Sequence, residues 1–262
     1  MMPIARNPAV AGQFYPADPG ELRRMLGEYL QAARPGGGAP KALIAPHAGY
    51  VYSGPVAASA YVRLESVRGR ISRVVLLGPA HRVGFEGLAL HSADVFTTPL
   101  GDIPIDKDAI ALIRNLPQVQ VLDAAHAQEH SLEVHLPFLQ ETLGAFKLVP
   151  LLVGDAEAPD VAAVLEELWG GAETLIVISS DLSHYHDYAT AQRLDSATSR
   201  AIESLRYEDI QYDDACGRNP VNGLLYVARR RGLKPTTVDL RNSGDTTGPR
   251  HQVVGYGAYV FE

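Results

Sequence analysis

The chain has 262 residues, 46% of them hydrophobic, enough for one substantial core, and no apolar run approaches the roughly 20 residues needed to cross a bilayer. A net charge of -7 with no basic cluster beyond Arg229-Arg230-Arg231 speaks against a nucleic-acid surface, since neutralising phosphates needs grouped Lys and Arg. A single cysteine, Cys216, excludes an internal disulfide framework and any Cys-rich zinc module; with no signal-peptide pattern at the start, the expectation is one cytoplasmic domain without membrane or nucleic-acid partners.

In chain order, an extended start over residues 9–16 leads to Asp18-Pro19, an N-cap followed by proline at the first helical position, and a predicted helix from Gly20 to Ala33. The turn-rich stretch Arg34 to Pro40 reads as a surface loop. A strand at Ala42 to Ala45 precedes a loop with His47 and Tyr52 and a helix near Pro55 to Leu64; a strand at Val74 to Leu77 precedes the His81 loop and extended pieces near Gly87 to Leu90. A helix at Lys107 to Asn115 is followed by the polar segment Asp123 to His135, which enters a helix at Leu136 to Leu143. Strand Lys147 to Val153, helix Asp160 to Trp169 and strand Leu175 to Ile178 continue the β/α alternation of a sheet covered on both faces. Helices near Ala189 to Ser204 and Pro220 to Arg231 and a terminal strand, Val253 to Phe261, complete the chain. Arg229 to Arg231 suit a helix C-terminus, with Gly232 and Pro235 as stop signals.

Three apolar runs end in histidine: residues 42–47, 73–81 and 174–184. Because ligands in open α/β sheets bind beyond the carboxyl ends of strands, His47, His81 and His184 are expected to converge there as a metal or acid/base site. Asp181, three residues before His184, suits a partner that fixes a histidine tautomer, or simply a helix cap. The segment Glu129-His130-Ser131-Leu132-Glu133 lacks the spacing of a zinc-protease helix; its glutamates are either substrate-facing or ordinary first-turn acids. Asp245 lies in the turn cluster Ser243 to Gly248, either a plain turn residue or the missing third metal ligand. No Walker motif and no nucleophile elbow is present.

Five separated strings, Ala45 to Gly54, Leu77 to His81, Glu129 to Pro137, Ser179 to His184 and Cys216 to Pro220, together resemble the Memo family over nearly the whole chain. The resemblance implies an α/β fold with a central mixed sheet flanked by helices, similar to the B subunit of class III extradiol dioxygenases, and a metal pocket at one sheet edge. It implies His47 and His81 as metal ligands, His184 as the general base and His130 as facing substrate. In animal members the third ligand is a cysteine near the C-terminus; here Asp245 takes that place if one gap is allowed, and Thr246 if none is, while Cys216 belongs to the separate Cys-Gly-Arg-x-Pro motif. His47, His81 and Asp245 would form a facial triad suited to iron(II), zinc and copper being alternatives. His184, His130 and Asp181 would then be catalytic, and Phe14, Tyr50, Tyr52 and Glu133 would bind substrate. The implied function is a non-haem iron(II) redox enzyme of dioxygenase-like type acting on a small or aromatic substrate. The alternatives are an adaptor holding an anionic or phosphotyrosine-type ligand in the same cleft, and a metal-assisted hydrolase. A radical-SAM protein is the implied functional partner.

Overall fold

Residues 3–262 are described in a computed structural model. The elements are β1 (Ala5–Arg6), α1 (Pro19–Ala32), β2 (Ala42–Ala45), α2 (Tyr50–Tyr61), β3 (Arg73–Pro79), β4 (Leu88–Leu90), β5 (Val95–Thr98) and β6 (Gly101–Pro104). They continue with α3 (Lys107–Ile113), β7 (Val119–Val121), α4 (Asp123–His126), α5 (Leu136–Leu143), β8 (Lys147–Val153), α6 (Ala158–Leu168) and β9 (Thr174–Ser179). The last are β10 (His184–His186), α7 (Tyr188–Glu203), α8 (Arg218–Arg231), β11 (Pro235–Asn242) and β12 (Val253–Phe261).

Nine strands form one mixed sheet in the order β10-β12-β2-β9-β3-β8-β4-β7, with β11 also paired to β12. β2, β9, β3 and β8 are mutually parallel neighbours. Their apolar runs are continuous rather than alternating because both faces are covered. Along β3 the side chains divide by parity: Val74 and Leu76 join α1, α2 and α5 in one core, Val75 and Leu77 join α6 and α8 in the other. β1, β5 and β6 make a separate three-stranded sheet. No helix among the described residues is long and apolar enough to cross a membrane.

Asp18 caps α1 as expected, its carboxylate accepting the Glu21 N–H at 2.8 Å. The helix expected near Pro55 begins instead at Tyr50, because the Gly49 carbonyl accepts the N–H groups of Tyr52 (2.8 Å) and Ser53 (3.1 Å). Pro55 therefore lies inside α2, where it leaves the Val51 carbonyl without its helical donor. The Thr247 hydroxyl approaches that oxygen at 3.5 Å.

Candidate active site

His47 stands two residues beyond β2, Asp181 two beyond β9 and His81 two beyond β3. These strands are adjacent, parallel and in the order β2-β9-β3, so residues remote in sequence leave the sheet at one edge. The His47 ring centroid lies 5.2 Å from that of His81 and 5.5 Å from that of His130, and His81 and His130 stack at 4.8 Å. Of the three histidines that end the apolar runs, His47 and His81 face each other, and His184 lines the same pocket.

Hydrogen bonding decides which nitrogen of each ring is free. Ser179 Oγ lies 2.6 Å from His47 Nδ1 and donates its only proton to the Ser131 carbonyl, also at 2.6 Å. It must therefore accept from His47, which places the proton on Nδ1 and the lone pair on Nε2. Burial and the neighbouring imidazoles hold the His47 pKa well below its ordinary value, so the ring is neutral. Its backbone N–H donates to Asp181 Oδ1 at 2.7 Å.

Glu129 does the same for His81. Its carboxylate accepts from His81 Nδ1 (2.9 Å) and from the backbone N–H groups of His81 (2.6 Å), His130 (2.8 Å) and Ser131 (3.0 Å). Burial opposes its ionisation, yet the bonds from His81 and the amides prevail and hold its pKa down at about 2. A carboxylate can only accept, so His81 donates from Nδ1 and Nε2 is left as the free nitrogen.

The third group at this point is Cys216. Its Sγ lies 3.3 Å from His47 Nε2, and the potential ligand atoms of His47, His81 and Cys216 all fall within 4.8 Å of one another. The loop ahead of α8 reaches the end of β9 because residue 217 is glycine: a Cβ there would stand 2.4 Å from the Ser179 carbonyl oxygen and 2.6 Å from Ser180 Cβ. The Gly217 N–H donates to Ser180 Oγ at 3.0 Å, and the Asp181 N–H points at the sulfur at 3.3 Å. Burial, then the Asp181 charge, push the thiol pKa up, so the proton stays on sulfur until a cation displaces it. Two imidazoles with Nε2 lone pairs, that of His47 meeting only the thiol proton, and the thiol itself form a donor set that fits a transition metal. His81, Glu129 and His130 also cluster, but Glu129 already accepts four hydrogen bonds and serves His81 instead.

A pocket of about 550 Å³ opens over His47 and His81, with Phe14, Tyr52, Arg82, His130, Asp181 and His184 on its walls and Cys216 set behind His47. His184 Nδ1 donates to the Leu182 carbonyl at 2.8 Å, leaving Nε2 as its basic nitrogen. Burial pushes the Asp181 carboxyl up, opposed by the His184 charge. Burial lowers His130 to about 4 against the pull of Glu129, whose Oε1 lies 3.2 Å from His130 Nδ1 without the alignment of a hydrogen bond. Phe14 packs on His130 with ring centroids 4.7 Å apart.

Three assigned residues do not reach this pocket. Asp245 is exposed and committed elsewhere: its carboxylate accepts the Tyr188 hydroxyl at 2.5 Å and the Asn242 N–H at 3.0 Å, forming a cap on the turn 243–245. The group beside the two histidines is Cys216, which its motif had set apart from the metal. Thr246 does not replace Asp245 either, its hydroxyl donating to the Ser243 carbonyl at 3.1 Å. Glu133 is buried and ion-paired with Arg6, and it accepts from the Ala9 N–H (2.7 Å), the Val10 N–H (3.0 Å) and the Tyr15 hydroxyl (2.7 Å). It therefore anchors the N-terminal arm that carries Phe14 and does not line the pocket. Tyr50 is 2% exposed, donates its hydroxyl to the Val134 carbonyl at 2.7 Å and packs on Phe138; it is a core residue. The tautomer-fixing role of Ser179 carried no sequence signal beyond its place at a strand end, whereas Arg82, a candidate donor to an anion from its place beside His81, does line the pocket.

The family model described as "Memo-like protein" matches residues 6–260. The chain is 39% identical to a MEMO1 family protein of Aquifex aeolicus over 268 residues, covering 98% of each. It is 35% identical to one of Sulfolobus acidocaldarius, covering 98% of this chain and 99% of the relative, and 36% identical to one of Thermotoga neapolitana, covering 97% and 98%. With the family model matching residues 6–260 and these relatives 35–39% identical over nearly the full length of each chain, the chain belongs to the Memo family.

Proposed function

We propose that this chain is a non-haem, metal-dependent redox enzyme of dioxygenase-like type acting on a small, aromatic or anionic substrate, with iron(II) held by His47, His81 and Cys216. The observation that carries the reading is the pair of fixed tautomers: Ser179 and Glu129 each accept a hydrogen bond from Nδ1–H and leave an Nε2 lone pair for a metal. Iron would supply Lewis-acid and one-electron chemistry at open coordination positions. The thiol makes zinc and copper(I) the competing metals.

The protein's own groups then divide the remaining work. Phe14 and Tyr52 supply flat apolar walls for a planar substrate, and Arg82 a cation for an anionic substituent. His184 Nε2 takes the proton from a substrate hydroxyl, with the neighbouring Asp181 carboxyl stabilising the imidazolium that results. His130, flat against His81, borders the same space.

The test is metal analysis of protein purified without oxygen, alongside His47→Ala and His81→Ala variants, followed by oxygen-consumption screens with catechols. Near-stoichiometric iron lost in both variants is the expected result. Zinc alone would redirect the reading to metal-assisted hydrolysis. No bound metal after anaerobic iron reconstitution would overturn it in favour of a cleft that holds an anionic or phosphotyrosine-type ligand without turnover.

A further inference from the structure

A second cavity, of about 550 Å³, lies between the end of α1, the outer side of α2 and β11. It shares no residue with the pocket over His47 and His81. Three guanidinium groups line it, those of Arg34, Arg63 and Arg241, against one carboxylate, Asp239. That carboxylate is spent. Arg241 holds it through two hydrogen bonds, 2.9 Å from Nε and 2.5 Å from Nη2, and the Ser59 hydroxyl donates to it at 2.7 Å. Among the described residues, no carboxylate lies within 4.0 Å of the side-chain nitrogens of Arg34 or Arg63. Arg63 Nε, moreover, is buried without a hydrogen-bond partner.

Guanidinium groups are ordinarily left to water, and one held in a recess with an unsatisfied Nε is costly unless an acceptor completes it. Arg63, with the exposed Arg34 lining the same cavity, matches the fork-shaped recognition of phosphate oxygens. The Tyr29 ring and Val238 add apolar wall, and the volume is that of a small-molecule site. We infer that this cavity is a second ligand site, taking a small phosphate monoester whose organic part is apolar, with Arg34 and Arg63 on the phosphate.

Isothermal titration with phenyl phosphate, inorganic phosphate and benzoate tests the assignment. Three variants are compared with the unaltered chain: Arg34→Gln, Arg34→Gln/Arg63→Gln, and Arg82→Gln in the other pocket. One equivalent of phenyl phosphate should bind more tightly than either fragment. Binding should weaken about tenfold or more in the double variant and stay unchanged in Arg82→Gln. Arg34 is exposed, so its single variant folds as the parent does and should weaken binding about threefold. No saturable binding, binding undiminished in the double variant, or binding lost only in Arg82→Gln would overturn the inference. So would benzoate or inorganic phosphate binding as tightly as phenyl phosphate.

Discussion

Two loops near the sheet edge each offer one residue that could complete a pair of histidines, and they differ in what their neighbours already demand. The loop before α8 presents Cys216 with its sulfur 3.3 Å from the free nitrogen of His47. The loop after β11 presents Asp245, whose two oxygens are taken by Tyr188 and by the backbone of its own turn. A carboxylate is the better iron ligand in isolation, but one committed to a cap must break two hydrogen bonds to become available. The thiol gives up only a weak contact and a proton. What selects between them is the state of the group before a metal arrives, and a sequence motif does not display that state.

The comparison breaks most sharply on Cys216. Cys216→Ala should lower iron affinity by about a hundredfold or more, since a metal with two imidazoles alone loses a third of its protein ligands. Equilibrium competition with a chelator measures this, and an unchanged affinity would return the third position to another group. Next in size is Glu129→Gln. An amide can still accept from His81 Nδ1, but it lacks the charge that makes the imidazole a stronger donor. A loss of about 10- to 100-fold in metal affinity follows, with the same metal-to-protein ratio at saturation. Tenfold or greater loss without global unfolding, checked by circular dichroism, separates this role from a purely structural one; a loss below twofold would mean that Glu129 does not tune His81.

Much of the site was legible because parallel strands covered on both faces must be continuous apolar runs, and the first polar residue after such a run marks the edge where ligands bind. His47 and His81 follow that rule, each two residues beyond its strand, and Asp181 stands equally far beyond β9 after Ser179 and Ser180. Glu129 and Glu133 show where the rule ends. They lie four residues apart in one segment and look alike as first-turn acids, yet one holds a histidine and the other pairs with Arg6 from the N-terminal arm. Partners remote in sequence separate them, and no local pattern encodes such partners. β11 was missed for a different reason: Thr236-Thr237-Val238-Asp239-Leu240-Arg241 lacks a fully buried face, and its pairing with β12 supplies the order that the side chains do not advertise. Cys216 was hidden by tertiary approach alone, made feasible by the missing Cβ of Gly217.

The smallest effect is the most discriminating between the two loops. Asp245→Ala removes a carboxylate that is exposed, accepts the Tyr188 hydroxyl and closes the turn on the Asn242 N–H. Loss of such a cap should cost about 1 kcal/mol, read as a slightly lower midpoint in urea with an unchanged slope. Metal content and affinity should not move, because Cys216, His47 and His81 keep their positions on β-strand ends and on the α8 loop, none of which the turn 243–245 supports directly. Were Asp245 a ligand, the same substitution would strip the metal while costing the metal-free protein little. Measuring stability without metal and affinity with it, on this one variant, therefore reads the two roles on separate axes.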